Sequence, residues 1–414
     1  MTVLNDRTAV QQLLLDATGA ALQGKSVAWV EVSPEQWKSL MALAAAHKLL
    51  PLVVEAAYRS TAAAGWADFA MWKRQAIQQV KSQALRTGAF LELFDALRQA
   101  GLHPLVVKGI LCRSLYPKGD HRPSGDEDLL VSGSEFLPCC RALQDLGMVP
   151  DKPYSADTAE VGWRKPESPL YLELHQNLFS PDAGAYGSLE VCFAGALDRA
   201  VEYPVTGGKT VLSLDPQDHM LYLLLHAYKH FIHSGFGIRQ ICDIGLWAVR
   251  YRERIDWERL SSQCAGVRAR TFAASVFQIG RKHLGIPLEL PEIWQRIPVD
   301  CEPMLLDLLQ AGVYGSADRS RLHSATVTLS AVEAQRKNVR PSGLIPTLFP
   351  PKKSLEGSYP VLKKHPYLLP GVWCARIAKY GKETMTSRQD NSAAKSLRIA
   401  RERIGLLKKY DIIE

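Results

Sequence analysis

A chain of 414 residues with 47% apolar and 22% charged residues is a globular soluble protein long enough for a large core and two or three domains. Its formal charge of +8 is a mild excess that fits a phosphate-rich partner without demanding one. No window approaches the roughly 18 apolar residues of a spanning helix, there is no signal-peptide pattern, and the eight cysteines show neither CxxC nor His/Cys zinc spacing, so the sequence reads as cytoplasmic with reduced, mostly buried thiols.

Residues 1–100 read as an N-terminal helical region. Thr8 to Leu22 has apolar residues at helical spacing. Ser33-Pro34-Glu35 is a helix start, and the run from Trp37 to Ala57 turns at Leu50-Pro51. A third helix is predicted from about Phe69 to Ala100, stopped by Gly101. Ala76, Val80, Ala84, Phe90, Leu93 and Leu97 form its expected inner stripe, and Lys73, Arg74, Lys81 and Arg86 a solvated face.

Residues 101–205 read as a mixed core. Pro104 to Val107 is a short buried strand; Lys108-Gly109 follows, then a brief helix stopped by Pro117. A polar loop from Lys118 to Gly125 leads into the strand Asp126-Glu127-Asp128-Leu129-Leu130-Val131. Alternate side chains share a strand face, so Asp126 and Asp128 point the same way. Paired carboxylates repel unless a cation lies between them, and hard oxygen ligands suit Mg²⁺. A solvated, Asp-rich strand end is the plainer alternative. Glu127, between them, must be paired with a base or lie at an exposed sheet edge, since an unpaired buried carboxylate is costly. A helix from about Ser134 to Leu146 follows, then an extended segment at Met148-Val149-Pro150, then the strand Leu170 to His175, on which Glu173 and His175 share a face.

Residues 206–340 read as a helical domain. Asp215 and Pro216 open a helix on which His226, His230 and His233 line one face. That spacing suits zinc, a cleft wall or a phosphate contact made together with Lys229, Arg239 and Asp243. Residues 341–414 hold a Pro-rich strap up to Pro370 and a basic stretch, with ten Lys/Arg against three acids from Gly371 to Lys409. The last helix is amphipathic: it either docks with a solvated basic face or grips nucleic acid, an acidic partner or a membrane surface.

The runs LVVKG, LYP, RPSGDEDLLV, LELHQNL, DHMLYLLLHAYKH and RQICDIGLW together resemble the bacterial family of uncharacterised nucleotidyltransferases, within the DNA polymerase β type, over about Leu85 to Arg250. The resemblance implies an α+β fold: a small mixed-sheet core flanked by N-terminal and C-terminal helical regions. It implies Asp126, Asp128 and Glu173 as catalytic metal-binding acids, with Mg²⁺ (or Mn²⁺) as cofactor and a nucleoside triphosphate as substrate. The expected reaction moves an NMP to a hydroxyl acceptor, a small molecule, peptide or protein, and releases pyrophosphate. Lys108, Gly109, Arg122, Ser124, His175, His226, Lys229, His230, Arg239 and Asp243 are the expected nucleotide contacts. The usual Gly-Ser at the turn is replaced by Lys108-Gly109-Ile110, so a phosphate contact must come from elsewhere, with Ser124 as the candidate. Two alternatives remain: a binding module of the same fold without turnover, and an enzyme acting on RNA.

Overall fold

In the computed structural model, residues 8–25, 27, 29, 31–311, 319–336, 352–355, 359, 361–375 and 393–414 are described. Four helices come first: α1 (Ala9–Gln23), α2 (Pro34–Ala46), α3 (Leu50–Arg59) and α4 (Phe69–Gln99). Thr8 and Ser33 close capping boxes with Gln11 and Gln36, which satisfies first-turn N–H groups of α1 and α2. The run expected from Trp37 to Ala57 is two helices, because Lys48 takes φ +55° and breaks the ladder. On α4 the inner stripe differs from expectation. Ala84 is exposed, and Gln83 and Thr87 are buried instead. Gln83 faces inward because its Oε1 accepts from the Ser124 N–H at 2.8 Å. Arg86 is likewise not a solvated base: it donates to the carbonyls of Ser124 and Pro169.

The centre is a five-stranded mixed sheet built from β1 (Leu105–Val107), β2 (Glu127–Leu130), β3 (Val149–Pro150), β4 (Glu160–Arg164) and β5 (Tyr171–His175), in the order β1-β2-β5-β4-β3. β2 and β5 run parallel, and the other pairs are antiparallel. The parallel pair needs a long return. It is made by α6 (Gly133–Asp145) and the β3–β4 hairpin. Across neighbouring strands, paired residues share a face. One face carries Val106, Leu129, Leu174, Val161, Leu172 and Trp163, all buried, each leucine contributing about 1.5–3 kcal/mol. The other carries Asp128, Glu173, Glu160 and His175. A separate hairpin, β6 (Val201–Pro204) with β7 (Thr210–Ser213), spans the expected division at 205/206.

Helices α7 (Pro216–His233), α8 (Ile238–Arg250), α9 (Trp257–Gly266), α10 (Arg270–His283), α11 (Glu292–Gln295), α12 (Glu302–Ala311) and α13 (Arg319–Arg336) follow, and one contiguous core runs from Leu13 to Ile413. Asp215 caps α7 by accepting from the Asp218 N–H at 2.7 Å. The C-terminal helix, Ala393–Lys409, docks: Arg403 is buried on Asp307 at 3.0 Å and donates to the Phe231 carbonyl, while Arg398, Arg401, Lys408 and Lys409 stay exposed. Residues 340–351 of the expected strap and 376–392 of the basic stretch lie outside the described residues. Among the described residues no helix is long and apolar enough to cross a membrane.

Several histidines are locked inside as neutral rings. Burial lowers His47 to about 4 and, with help from Lys108, lowers His219 to about 3. From an ordinary value near 6.5, the unfolded chain takes up protons that the fold refuses, so stability falls as pH drops below 6.5. The slope is up to about 1.4 kcal/mol per pH unit for each ring. Urea midpoints measured at pH 7 and pH 5 should therefore differ, with pH 5 lower. Equal midpoints would contradict neutral burial.

Candidate active site

Asp128 and Glu173 are register partners on the adjacent parallel strands β2 and β5, so their side chains leave the same face side by side. His175 lies two residues beyond Glu173. Its Nε2 is 3.4 Å from Asp128 Oδ1 and 3.5 Å from Glu173 Oε2, and its Nδ1 is 3.6 Å from Glu160 Oε2. Ligand atoms of Asp128, Glu173 and His175 all fall within 4.8 Å of one another, a spacing that can hold one ion. Asp126 stands just before β2. Its carboxyl is pushed up by burial and by the charges of Asp128 and Glu173, partly offset by Lys108 and Arg239. Burial also pushes Asp128 up, but Lys108 and His175 outweigh it and hold it at about 2. At His175 the carboxylates of Asp128, Glu173 and Glu160 overcome burial and raise it to about 9. Thus Asp128 and Glu173 meet at one face with His175 between them, and Asp126 lies close enough to feel both charges while standing outside that cluster of ligand atoms.

Lys108 sits above them on the β1–α5 turn, where α5 is Gly109–Arg113. Its Nζ is 3.2 Å from Asp128 Oδ2 and 3.0 Å from His226 Nε2. The backbone there is strained, at φ +62° and ψ −124°, a region that disfavours a residue with a Cβ. Buried His219 holds it, accepting the Lys108 N–H on Nε2 at 3.2 Å. Such strain costs about 1–3 kcal/mol. Lys108→Gly and Lys108→Ala both lose the ammonium, but glycine alone relieves the backbone. Lys108→Gly should unfold later than Lys108→Ala by about 1–2 kcal/mol in chemical denaturation. Equal stabilities would mean an unstrained turn.

Three expected phosphate contacts are engaged elsewhere. The Ile110 N–H at the start of α5 donates to Glu127 Oε2 at 3.1 Å, so a protein carboxylate already occupies this helix N-terminus. Gly109, at φ +38°, is there because a Cβ would overlap that carboxylate oxygen; it makes room for Glu127. Glu127 itself lies on the apolar face and pairs with buried Arg113 at 2.6 Å, the buried-base outcome expected of it. Ser124 Oγ accepts from Arg113 at 2.8 Å and lies 3.3 Å from Gln83 Oε1 and Glu127 Oε1, inside the same network. Arg122 forks onto Asp243 at 2.7 and 2.6 Å, with Tyr116 donating to Asp243 at 2.7 Å. The Arg122 fork is thus spent mainly on protein.

The profile of the family described as uncharacterised nucleotidyltransferase matches residues 33–285, well over half the chain and the whole of the acid-bearing sheet. The chain belongs to that family. Comparison with curated proteins and with solved structures gives no match. In this member of the family the histidine face of α7 borders the acids: His226 Nε2 is 3.3 Å from His230 Nε2, and both rings are held well below their ordinary value, chiefly by burial. His233 instead contacts Ser234 at 3.0 Å. Lys229 lies 5.0 Å over the Tyr186 ring, and burial lowers it against the opposing pull of Glu160, Glu173 and Asp128. Arg239 donates to the Pro123 carbonyl. Lys48, unforeseen from sequence, reaches the loop beside Asp126: its Nζ would lie 3.6 Å from a Cβ at Gly125. Only the break between α2 and α3 puts it there, and no local pattern marks it.

Proposed function

We propose that the protein transfers an NMP from a nucleoside triphosphate to a hydroxyl acceptor, using divalent cations bound by Asp126, Asp128 and Glu173. The observation that carries this reading is the lateral pairing of Asp128 with Glu173; Asp126, just before β2, feels the charges of both. The donor chemistry fits Mg²⁺ or Mn²⁺, since carboxylate oxygens dominate. When bound, such cations lower the pKa of the acceptor hydroxyl and neutralise charge on the phosphates.

The chain's own groups do the rest. Lys108 and His175 neutralise Asp128 in the absence of ligand. Asp126 and Asp128 orient the triphosphate side, and Glu173 the acceptor side. The acceptor hydroxyl gives its proton to solvent, its oxygen forms a bond to the α-phosphorus, the α–β bridging bond breaks, and pyrophosphate leaves. Cationic groups flank the acids, with Lys48 and Arg239 near Asp126 and Lys229 near Glu173. They supply charge where phosphate oxygens accumulate it.

The test is pyrophosphate release from each of the four NTPs with Mg²⁺ or Mn²⁺, across acceptor fractions from cell extract. Metal-dependent release that ends on adding EDTA supports transfer. Nucleotide binding with no release in any fraction would favour the module without turnover, a reading to which the Lys108–Asp128 ion pair lends weight.

A further inference from the structure

Arg122, Arg239 and Gln240 are each more than nine-tenths buried, at 4%, 4% and 7% exposure. Each keeps one donor with no hydrogen-bond partner among the described residues: Arg122 Nη1, Arg239 Nε and Gln240 Nε2. The orientation of the Gln240 amide is fixed by chemistry. Its Oε1 takes the Gly237 N–H at 2.9 Å, and an N–H can only donate. All three residues line one cleft with Lys108, His226 and Asp243. The carboxylate of Asp243 has both oxygens engaged, Oδ1 by Tyr116 and Arg122 Nε, and Oδ2 by Arg122 Nη2. The cleft offers about 20 Å³ to the centres of water-sized atoms, within about 300 Å³ of empty space that includes open solvent.

Buried donors without acceptors cost about 1–3 kcal/mol each. Two guanidinium groups and an amide converging on one cleft match an oxyanion, which accepts several N–H bonds at once. The cleft adjoins the acids through Lys108, which lines it and pairs with Asp128 at 3.2 Å. Meanwhile the α5 N-terminus, the obvious alternative for phosphate, is filled by Glu127.

We infer that this cleft between α7, α8 and the Lys108 turn is an oxyanion socket for the terminal phosphate of the nucleoside triphosphate. It rests on the nucleotidyl-transfer reading and relocates phosphate recognition from a helix N-terminus to side chains of α8 and the Lys118–Gly125 loop.

Gln240→Glu is the decisive variant. One carboxylate oxygen still caps Gly237, the volume is kept, and a negative oxygen replaces the unpartnered donor. Arg239→Lys is the second, keeping charge but removing Nε. Calorimetry with Mg²⁺-tripolyphosphate, inorganic phosphate and NMP reads binding directly. Steady-state pyrophosphate release reads KM and kcat. The full-length parent should bind tripolyphosphate, and Gln240→Glu should weaken it about tenfold or more with NMP affinity unchanged. KM for NTP should rise similarly, with kcat within about threefold. Unchanged tripolyphosphate affinity in both folded variants overturns the socket. So does inorganic phosphate binding as tightly as tripolyphosphate, which would mark a site for free phosphate. Tripolyphosphate binding that depends on Gln240, in a protein that releases no pyrophosphate, supports the socket while removing the transfer activity. Release with both variants at parental KM does the reverse.

Discussion

Asp128→Asn should lower pyrophosphate release by about 10³-fold or more. The carboxylate of Asp128 is the most enclosed of the three acids, and its charge is set against Lys108 at 3.2 Å and His175 at 3.4 Å. Asparagine keeps the shape and an acceptor for Lys108 but removes the charge a divalent cation needs. Some stability is lost too, about 1–3 kcal/mol, since two cationic neighbours lose their counter-charge in a buried place. Loss of activity from this variant alone would therefore be ambiguous. Glu173→Gln separates the causes, because the Glu173 side chain is 34% exposed and sits at the open side of the cluster. It should lose turnover to a similar degree while its melting temperature stays within about 2 °C. A Glu173→Gln protein within about threefold of parental turnover would remove Glu173, and with it the two-strand metal centre, from the mechanism.

Why were these acids legible in the sequence when their surroundings were not? Asp126 and Asp128 announce themselves by strand alternation, and Glu173 by an apolar–polar strand that the family resemblance placed beside them. Those are local patterns. The strand β4 was less legible: Glu160-Val161-Gly162-Trp163-Arg164 has one glycine and no clean alternation, so its place between β3 and β5 emerges only from pairing. The partners of the expected phosphate contacts were illegible for a different reason. Arg122 and Ser124 lie in the expected loop, but their orientation depends on Asp243 and Arg113, which arrive from α8 and α5. Lys48 lies some 80 residues before the acids and enters through a helix break that leaves only a faint trace in composition. His219 follows the helix start at Asp215-Pro216 and carries no local signal of its own, yet it is the group that holds the Lys108 turn. Periodicity reports which face a side chain occupies. It does not report which partner will be waiting there.

Glu127→Gln should cost the fold about 3–5 kcal/mol, the largest single effect on stability expected here. The residue sits on the apolar face of β2, fully buried, and its carboxylate does two tasks. Oε1 pairs with Arg113 at 2.6 Å, and Oε2 accepts the Ile110 N–H at 3.1 Å. Glutamine leaves the Arg113 guanidinium charged, 3% exposed and without a counter-charge, with one of its nitrogens already unpartnered among the described residues. Gly109→Ala attacks the same knot from the other side: its Cβ would overlap Glu127 Oε2, in a backbone at φ +38°. Both variants should shift the urea midpoint down together. Replacing the pair with apolar residues, Glu127→Met with Arg113→Met, should recover at least half of the Glu127→Gln loss, because a buried ion pair repays little beyond its own desolvation. The double variant separates architecture from chemistry. If Glu127 only supports the β1–α5 turn, the doubly apolar protein should still release pyrophosphate wherever it folds. A Glu127→Gln midpoint within about 1 kcal/mol of the parent would mean that Arg113 finds its counter-charge elsewhere, and that the glycine after Lys108 serves some purpose other than making room for this carboxylate.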